Sequence, residues 1–172
     1  MKTLKILATA ILLGGVSFAS PVNAQGPYDA SAVMFAQMMV PHHQQAVLIS
    51  QWELKQGSNA AAKKLAMKII AEQSPEIKQM KKWIPATAMM GGSMPMQGIV
   101  SDADLATLKA AHGKRFDGLY LVDMTLHHQG AITMARPLTH SSNPEVAALC
   151  KAIVSGQSAE IKQMRSIMMT GK

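Results

Sequence analysis

Cysteine is almost absent from this chain. Cys150 is the single one among 172 residues, which excludes any internal disulfide. It equally excludes a structural zinc site built from several thiolates. Aromatic residues are scarce as well: two Trp, two Tyr and three Phe. Yet 48% of the residues are hydrophobic, so the core must rest on Leu, Ile, Val, Ala and Met. That composition suits helices, since strands favour β-branched and aromatic side chains. The ten acidic residues are scattered and do not make the oxygen-rich cage that calcium or magnesium needs. Beyond the N-terminal region, no stretch is long and apolar enough to cross a membrane.

The start of the chain has its own logic. Met1–Lys5 is short and basic, and Ile6–Val16 is an apolar run of 11 residues, too short to span a bilayer. Val22-Asn23-Ala24 then supplies a small-x-small cleavage site. These features predict a secretory signal peptide over 1–24 and a periplasmic mature chain, residues 25–172. Cleavage at Ala19 and retention as an uncleaved anchor are the alternatives. The formal charge of +7 falls to +5 without Lys2 and Lys5. The remaining lysines are dispersed at helical spacings, which predicts a solvated surface and no nucleic-acid partner.

Methionine is in excess, with 15 in the chain. It is both a flexible core filler and a soft thioether ligand, and composition alone leaves both roles open.

The chain also repeats itself. Met39-Val40-Pro41-His42-His43-Gln44-Gln45-Ala46-Val47 matches Met124-Thr125-Leu126-His127-His128-Gln129-Gly130-Ala131-Ile132 at an offset of 85. Gln73-Ser74-Pro75-Glu76-Ile77-Lys78-Gln79-Met80 matches Gln157-Ser158-Ala159-Glu160-Ile161-Lys162-Gln163-Met164 at an offset of 84. Apolar periodicity predicts long helices over about 29–54, 60–83, 116–136 and 144–168, with a turn at Gly57-Ser58-Asn59 and a loop at 139–143. Ser101 to Asp104 should cap a short helix over 105–111, with Gly113 breaking the chain before the third long helix. The expected fold is all-α: an antiparallel four-helix bundle of two repeated helical hairpins, joined by a Met-rich crossover over 85–115.

On a helix, positions 39, 42, 43 and 46 share one face, and Met38 lies four residues before His42. The first helix thus offers Met38, Met39, His42 and His43 together. The third offers Met124, His127 and His128, with Met134 seven residues after His127 and Asp123 in the place of Met38. Pro41, inside the first helix, should kink it and re-aim the histidines. Folding each hairpin about its turn sets Gln73 and Glu76 opposite Met38 and His42. It likewise sets Gln157 and Glu160 alongside His127 and Asp123. Ligating imidazoles usually donate their other ring N–H to a carboxylate or carbonyl, so these five polar residues are candidate orienting groups.

Imidazole with thioether suits copper, above all Cu(I), and also Ag(I); Cu(II) at His-rich positions is possible too. Met34, Met80 and Met164 could complete the sites or fill core. Met89, Met90, Met94 and Met96 form a thioether cluster in the crossover, and His112 and His140 are further candidates at helix ends. Cys150 aligns with Ala66 and is expected to be a small buried thiol. No Glu-x-x-His occurs, which disfavours a di-iron carboxylate centre.

The two histidine-pair segments resemble the signatures of domain-of-unknown-function family 305. Phe116-Asp117-Gly118-Leu119-Tyr120 resembles the Phe-Asp segment before the second signature, and Gln157 to Met164 its terminal helix. The resemblance covers about residues 28–168. It implies a ferritin-like bundle and, through members of the CopM type, a periplasmic copper-binding protein linked to copper resistance. Carried across, it makes His42, His43, His127, His128 and the adjacent methionines copper ligands. Gln45 where the second signature has Gly130, and Leu126 where the first has proline, are departures. The sequence therefore predicts a protein that sequesters or carries copper and is not an enzyme. Its partners would be copper ions and a copper efflux or chaperone protein. The alternatives are a metal-independent interaction module with a Met-rich face and a Cu(I) oxidase.

Overall fold

The computed structural model of the protein describes residues 27–88 and 96–171. The expected signal peptide and Met89, Met90 and Met94 lie outside the described residues. Among the described residues there are five α-helices and no strand: α1 (Ala30–Gln56), α2 (Ala60–Lys81), α3 (Asp102–Ala110), α4 (Gly113–Ala135) and α5 (Pro144–Thr170). A 3-10 turn, Arg136–His140, links α4 to α5 and occupies part of the expected loop.

Local chemistry sets most of these boundaries. The Asp29 carboxylate accepts from the Ala32 amide at 2.8 Å and starts α1. The Asn59 side chain accepts from Ala61 and Ala62 to start α2, and Asn143 accepts from Glu145 and Val146 to start α5. α3 begins at Asp102 rather than at Leu105, because Ser101 alone is the cap: its hydroxyl accepts from the Asp104 amide. α4 begins three residues before Phe116, since Gly113 adopts φ +57° and turns the chain straight into the helix. Helix α1 continues through Pro41, and α2 through Pro75.

α1 packs against α2 and α4 against α5. The two hairpins meet through α1 with α4 and α2 with α5. The interior falls into two apolar clusters. One gathers Ile49, Leu65, Ile69, Phe116, Tyr120, Met124, Met164 and Ile167. The other gathers Phe35, Met39, Met80, Trp83, Ala131, Leu149, Cys150 and Ile153. Each long helix contributes to both clusters and has polar residues between its two contributions: His42 and His43 in α1, Gln73 and Glu76 in α2, His127 and His128 in α4, and Gln157 and Glu160 in α5. A polar layer is thereby sandwiched between two apolar halves. Cys150 is buried as expected, and burial pushes its thiol up to about 12, so it stays protonated.

A second buried polar contact closes the end of the first hairpin. Asp117 accepts from the Ser58 amide and hydroxyl and the Asn59 amide at 2.7–3.1 Å. Burial raises the Asp117 carboxyl, but these donors outweigh it and hold it below its usual range. Glu53 faces it with no donor for either oxygen. The two carboxyl groups flank Gly57 so closely that a Cβ there would lie 2.3 Å from Glu53 Oε1 and 2.6 Å from Asp117 Oδ1. Burial, then the charge on Asp117, pushes Glu53 up to about 8. Glu53 therefore folds with its proton on. A carboxyl raised in the folded state adds stability that is lost as pH rises from about 4.5 through about 8. Glu53→Gln should raise stability at pH 8 by about 1–2 kcal/mol and flatten the decline between pH 6 and 8. Urea unfolding at the two pH values reads this directly.

Candidate metal centre

The polar layer holds four imidazoles, all fully buried. His42 and His127 meet at its centre, with ring centroids 3.7 Å apart and planes 36° apart. His43 and His128 lie 6.4 and 6.3 Å from their sequence neighbours and take the outer places. The paired histidines of the sequence repeat are thus brought into one cluster rather than two distant ones.

Three of the four rings are anchored through the same atom. His43 Nε2 lies 2.8 Å from Glu76 Oε2, and His128 Nε2 lies 2.9 Å from Glu160 Oε2. His42 Nε2 lies 3.1 Å from the Gln97 carbonyl oxygen. The carboxylates thus go to the second histidine of each pair, one residue from the expected partner. A backbone carbonyl, which no side-chain pattern reveals, takes the first. The remaining nitrogens, Nδ1 of His42, His43 and His128 and both nitrogens of His127, are buried with no hydrogen-bond partner.

Burial decides the charge of this cluster. It pushes His42 down to about 3, with the nearby His43 adding to the shift and the Gln97 bond opposing it. His127 is driven well below its ordinary value by burial and then by His42. The His42 backbone opposes this. His128 is lowered by burial despite Glu160. Burial works against the Glu160 carboxylate too, yet His128 and Lys68 hold it below its usual range. Lys68 Nζ reaches Glu160 Oε1 and Glu72 Oε2, both at 2.9 Å. Lys68 has no counterpart in the other half, where Ala152 aligns with it, and the sequence repeat gave no reason to select it.

The methionines divide. Met39, Met80, Met124 and Met164 are fully buried and border the layer, two in each apolar cluster. Thr125 Oγ1 lies 3.3 Å from Met164 Sδ. Met38 and Met134 are half-buried on the histidine-bearing helices. Met34 is 47% exposed and lines an apolar groove with Tyr28 and Trp83 at the bundle end, away from the imidazoles. Met96 is half-buried outside any helix. His112 is the exposed residue preceding α4, and His140 is exposed in the 3-10 turn. Gln73 and Gln157 are buried in the layer, and both amide atoms of Gln73 lack partners. Asp123 lines a cavity of about 130 Å3 with Asp104, Gly98 and Leu126, and burial, then Asp104, pushes it up to about 6. It takes no part in the histidine hydrogen bonds.

Among the described residues, no three His, Cys, Asp or Glu side chains converge as a ready-made metal cage. In the histidine layer the buried atoms without partners are five imidazole nitrogens and amide atoms of Gln73 and Gln157, with buried methionines on either side. That donor chemistry fits a soft ion and suits neither calcium nor a thiolate-bound zinc.

A family model described as "Domain of unknown function (DUF305)" matches residues 32–168, and the chain belongs to that family. A DUF305 fragment from Deinococcus radiodurans is similar at 29% identity, with a TM-score of 0.73 over 82% of this chain and 97% of that one. CopM in a Cu(II)-bound form is similar at 34% identity, with a TM-score of 0.69 over 82% of this chain and 97% of CopM. CopM in a Cu(I)-bound form gives 36% identity and a TM-score of 0.64, over 78% and 93% of the two chains. CopM is also known in Ag-bound form. No match is found among curated proteins.

Three of the buried imidazoles, His42, His127 and His128, set a pH dependence. Their folded-state values lie below 6.5, so as pH falls through 6.5 the unfolded chain takes up protons first. Stability present above pH 6.5 is then lost, by about 1.4 kcal/mol per pH unit for each histidine. The metal-free protein should unfold at lower urea at pH 5 than at pH 7. His127→Leu removes two buried nitrogens without partners. It should flatten that slope and raise stability at pH 6 by about 1–2 kcal/mol.

Proposed function

We propose that this protein is a periplasmic copper-binding protein that sequesters or carries Cu(I), and that it is not an enzyme. Its architecture in this reading is a ferritin-like antiparallel four-helix bundle, exported by a signal peptide over 1–24. The observation that carries the reading is the buried layer of imidazoles: five ring nitrogens with no hydrogen-bond partner, bordered by buried methionines. Buried polar atoms without partners each cost about 1–3 kcal/mol. Neutral imidazole and thioether are donors that a soft monovalent ion prefers.

His42, His43, His127 and His128 are the proposed ligands, with Met39 and Met124 one turn before them and Met38 and Met134 as outer donors. Glu76 and Glu160 orient His43 and His128 through their Nε2 atoms. The copper- and silver-bound forms of CopM support the same ions here, Cu(I) first, then Ag(I) and Cu(II). A copper efflux or chaperone protein is the proposed exchange partner.

Anaerobic titration of the purified protein with Cu(I), against a chromophoric chelator, tests this. Wild type should compete for the ion, and a variant with all four histidines changed to Ala should lose at least 100-fold in affinity. Tight binding retained by the variant would move the site to methionines alone. No binding by either protein would sink the copper reading and favour a metal-independent interaction module. A second test concerns the orienting carboxylates: Glu160→Gln should weaken Cu(I) binding about 10–100-fold while leaving stoichiometry unchanged.

A further inference from the structure

Residues 96–100 lie outside any helix, yet both sides of this strap are fixed. On one side, Gln45 of α1 takes both backbone polar groups of Val100. Its Nε2 donates to the Val100 carbonyl at 2.9 Å, and its Oε1 accepts from the Val100 amide at 2.8 Å. On the other side the strap presses directly on α4. Gly98, at φ +76°, sits so close that a Cβ would lie 2.5 Å from the Leu126 carbonyl oxygen. A Cβ at Gly130 would lie 1.9 Å from the Gln97 carbonyl oxygen and 2.8 Å from the Gly98 nitrogen. All three obstructing groups are backbone, so no side-chain rotation relieves the clash.

The result of this seating is the bond from His42. The Gln97 carbonyl accepts from His42 Nε2 at 3.1 Å. A carbonyl oxygen can only accept, so a neutral His42 must carry its proton on Nε2 and its lone pair on Nδ1. That Nδ1 is one of the buried nitrogens without a partner. For His43 and His128 a glutamate does the same work. For His42 the strap does it. Gln45 and Gly130 occupy the same position of the sequence repeat, 85 apart. One grips the strap and the other makes room for it.

We infer that Gln45 and Gly130 are positioning residues of the copper site: they seat the strap so that the Gln97 carbonyl holds His42 with Nδ1 as its metal donor. This rests on the copper reading above, because it assigns the purpose of that lone pair.

Gly130→Ala is the discriminating variant. Alanine improves helix propensity by about 1 kcal/mol, so α4 itself is not weakened. Its Cβ must nevertheless unseat Gln97. Gln45→Ala releases the other side without adding any atom. In the metal-free protein, proton NMR should show a slowly exchanging His42 Nε2–H and a protected Val100 amide in wild type. Both signals should be lost in Gly130→Ala and weakened in Gln45→Ala. The corresponding His43 and His128 protons should remain. Cu(I) affinity should fall about 10-fold in Gly130→Ala, the loss typical of removing a group that orients a ligand.

The inference is overturned if the Val100 amide opens while the His42 proton and Cu(I) affinity stay at wild-type values. It is also overturned if Gly130→Ala leaves the Val100 amide protected. Failure of wild type to bind Cu(I) would instead strike the copper reading. The His42 proton in the metal-free protein would still report whether the strap fixes that ring.

Discussion

Four imidazoles are buried where the two hairpins meet, and that layer constrains the rest of the structure. A buried imidazole avoids the cost of an isolated charge by giving up its proton, which is why His42 is pushed down to about 3. A neutral ring then has one N–H to satisfy and one lone pair left over. The protein meets the first need at three rings, with Glu76, Glu160 and the Gln97 carbonyl. The Nδ1 atom of all four rings is left without a partner. The apolar clusters on either side keep water from supplying one cheaply, and they contribute Met39 and Met80 on one side and Met124 and Met164 on the other.

The sequence repeat produces this symmetry and then departs from it where the structure needs different parts. The matching Glu76 and Glu160 hold matching histidines, but their settings differ. The Glu160 side chain is 2% exposed and shares its second oxygen with Lys68, whereas that of Glu76 is 18% exposed. Gln45 and Gly130 differ for a steric reason, since one strap crosses both hairpins and cannot contact them identically. The Leu126 side chain, in the place of Pro41, is exposed, while its carbonyl oxygen faces Gly98. That position is read by the strap through its backbone and not by the histidines.

The helices were legible because their apolar periodicity is strong and is interrupted by the Gly57-Ser58-Asn59 turn and the Ser101 cap. So were the histidine faces and the two glutamates, because residues that recur at one spacing in both halves stand out from an ordinary helix surface. Counting back from a turn fixes the opposing residue only to within part of a helical turn, so it pointed to His42 where Glu76 meets His43. Asp123 was selected by alignment with Met38, but alignment does not say which neighbour a half-buried side chain faces, and Asp104 lies on that side. The Gln97 carbonyl was out of reach, since every residue has one. Glu53 was equally hidden: its proton comes first from burial and then from Asp117, some sixty residues away in the chain.

The close approach of His42 and His127 shapes how such a layer can hold an ion. An imidazole lone pair lies in the plane of its ring, and these two rings have centroids 3.7 Å apart and planes tilted by 36°. Metal–nitrogen bonds of about 2.0–2.1 Å place an ion at the edge of a ring. An ion taken up here would lie in the plane of a central ring, and one ring alone does not complete a coordination sphere. The donors left to complete the sphere are an outer histidine Nδ1 and the thioethers that border the layer. Imidazole nitrogen and thioether sulfur suit a soft ion and not a cation that demands oxygen.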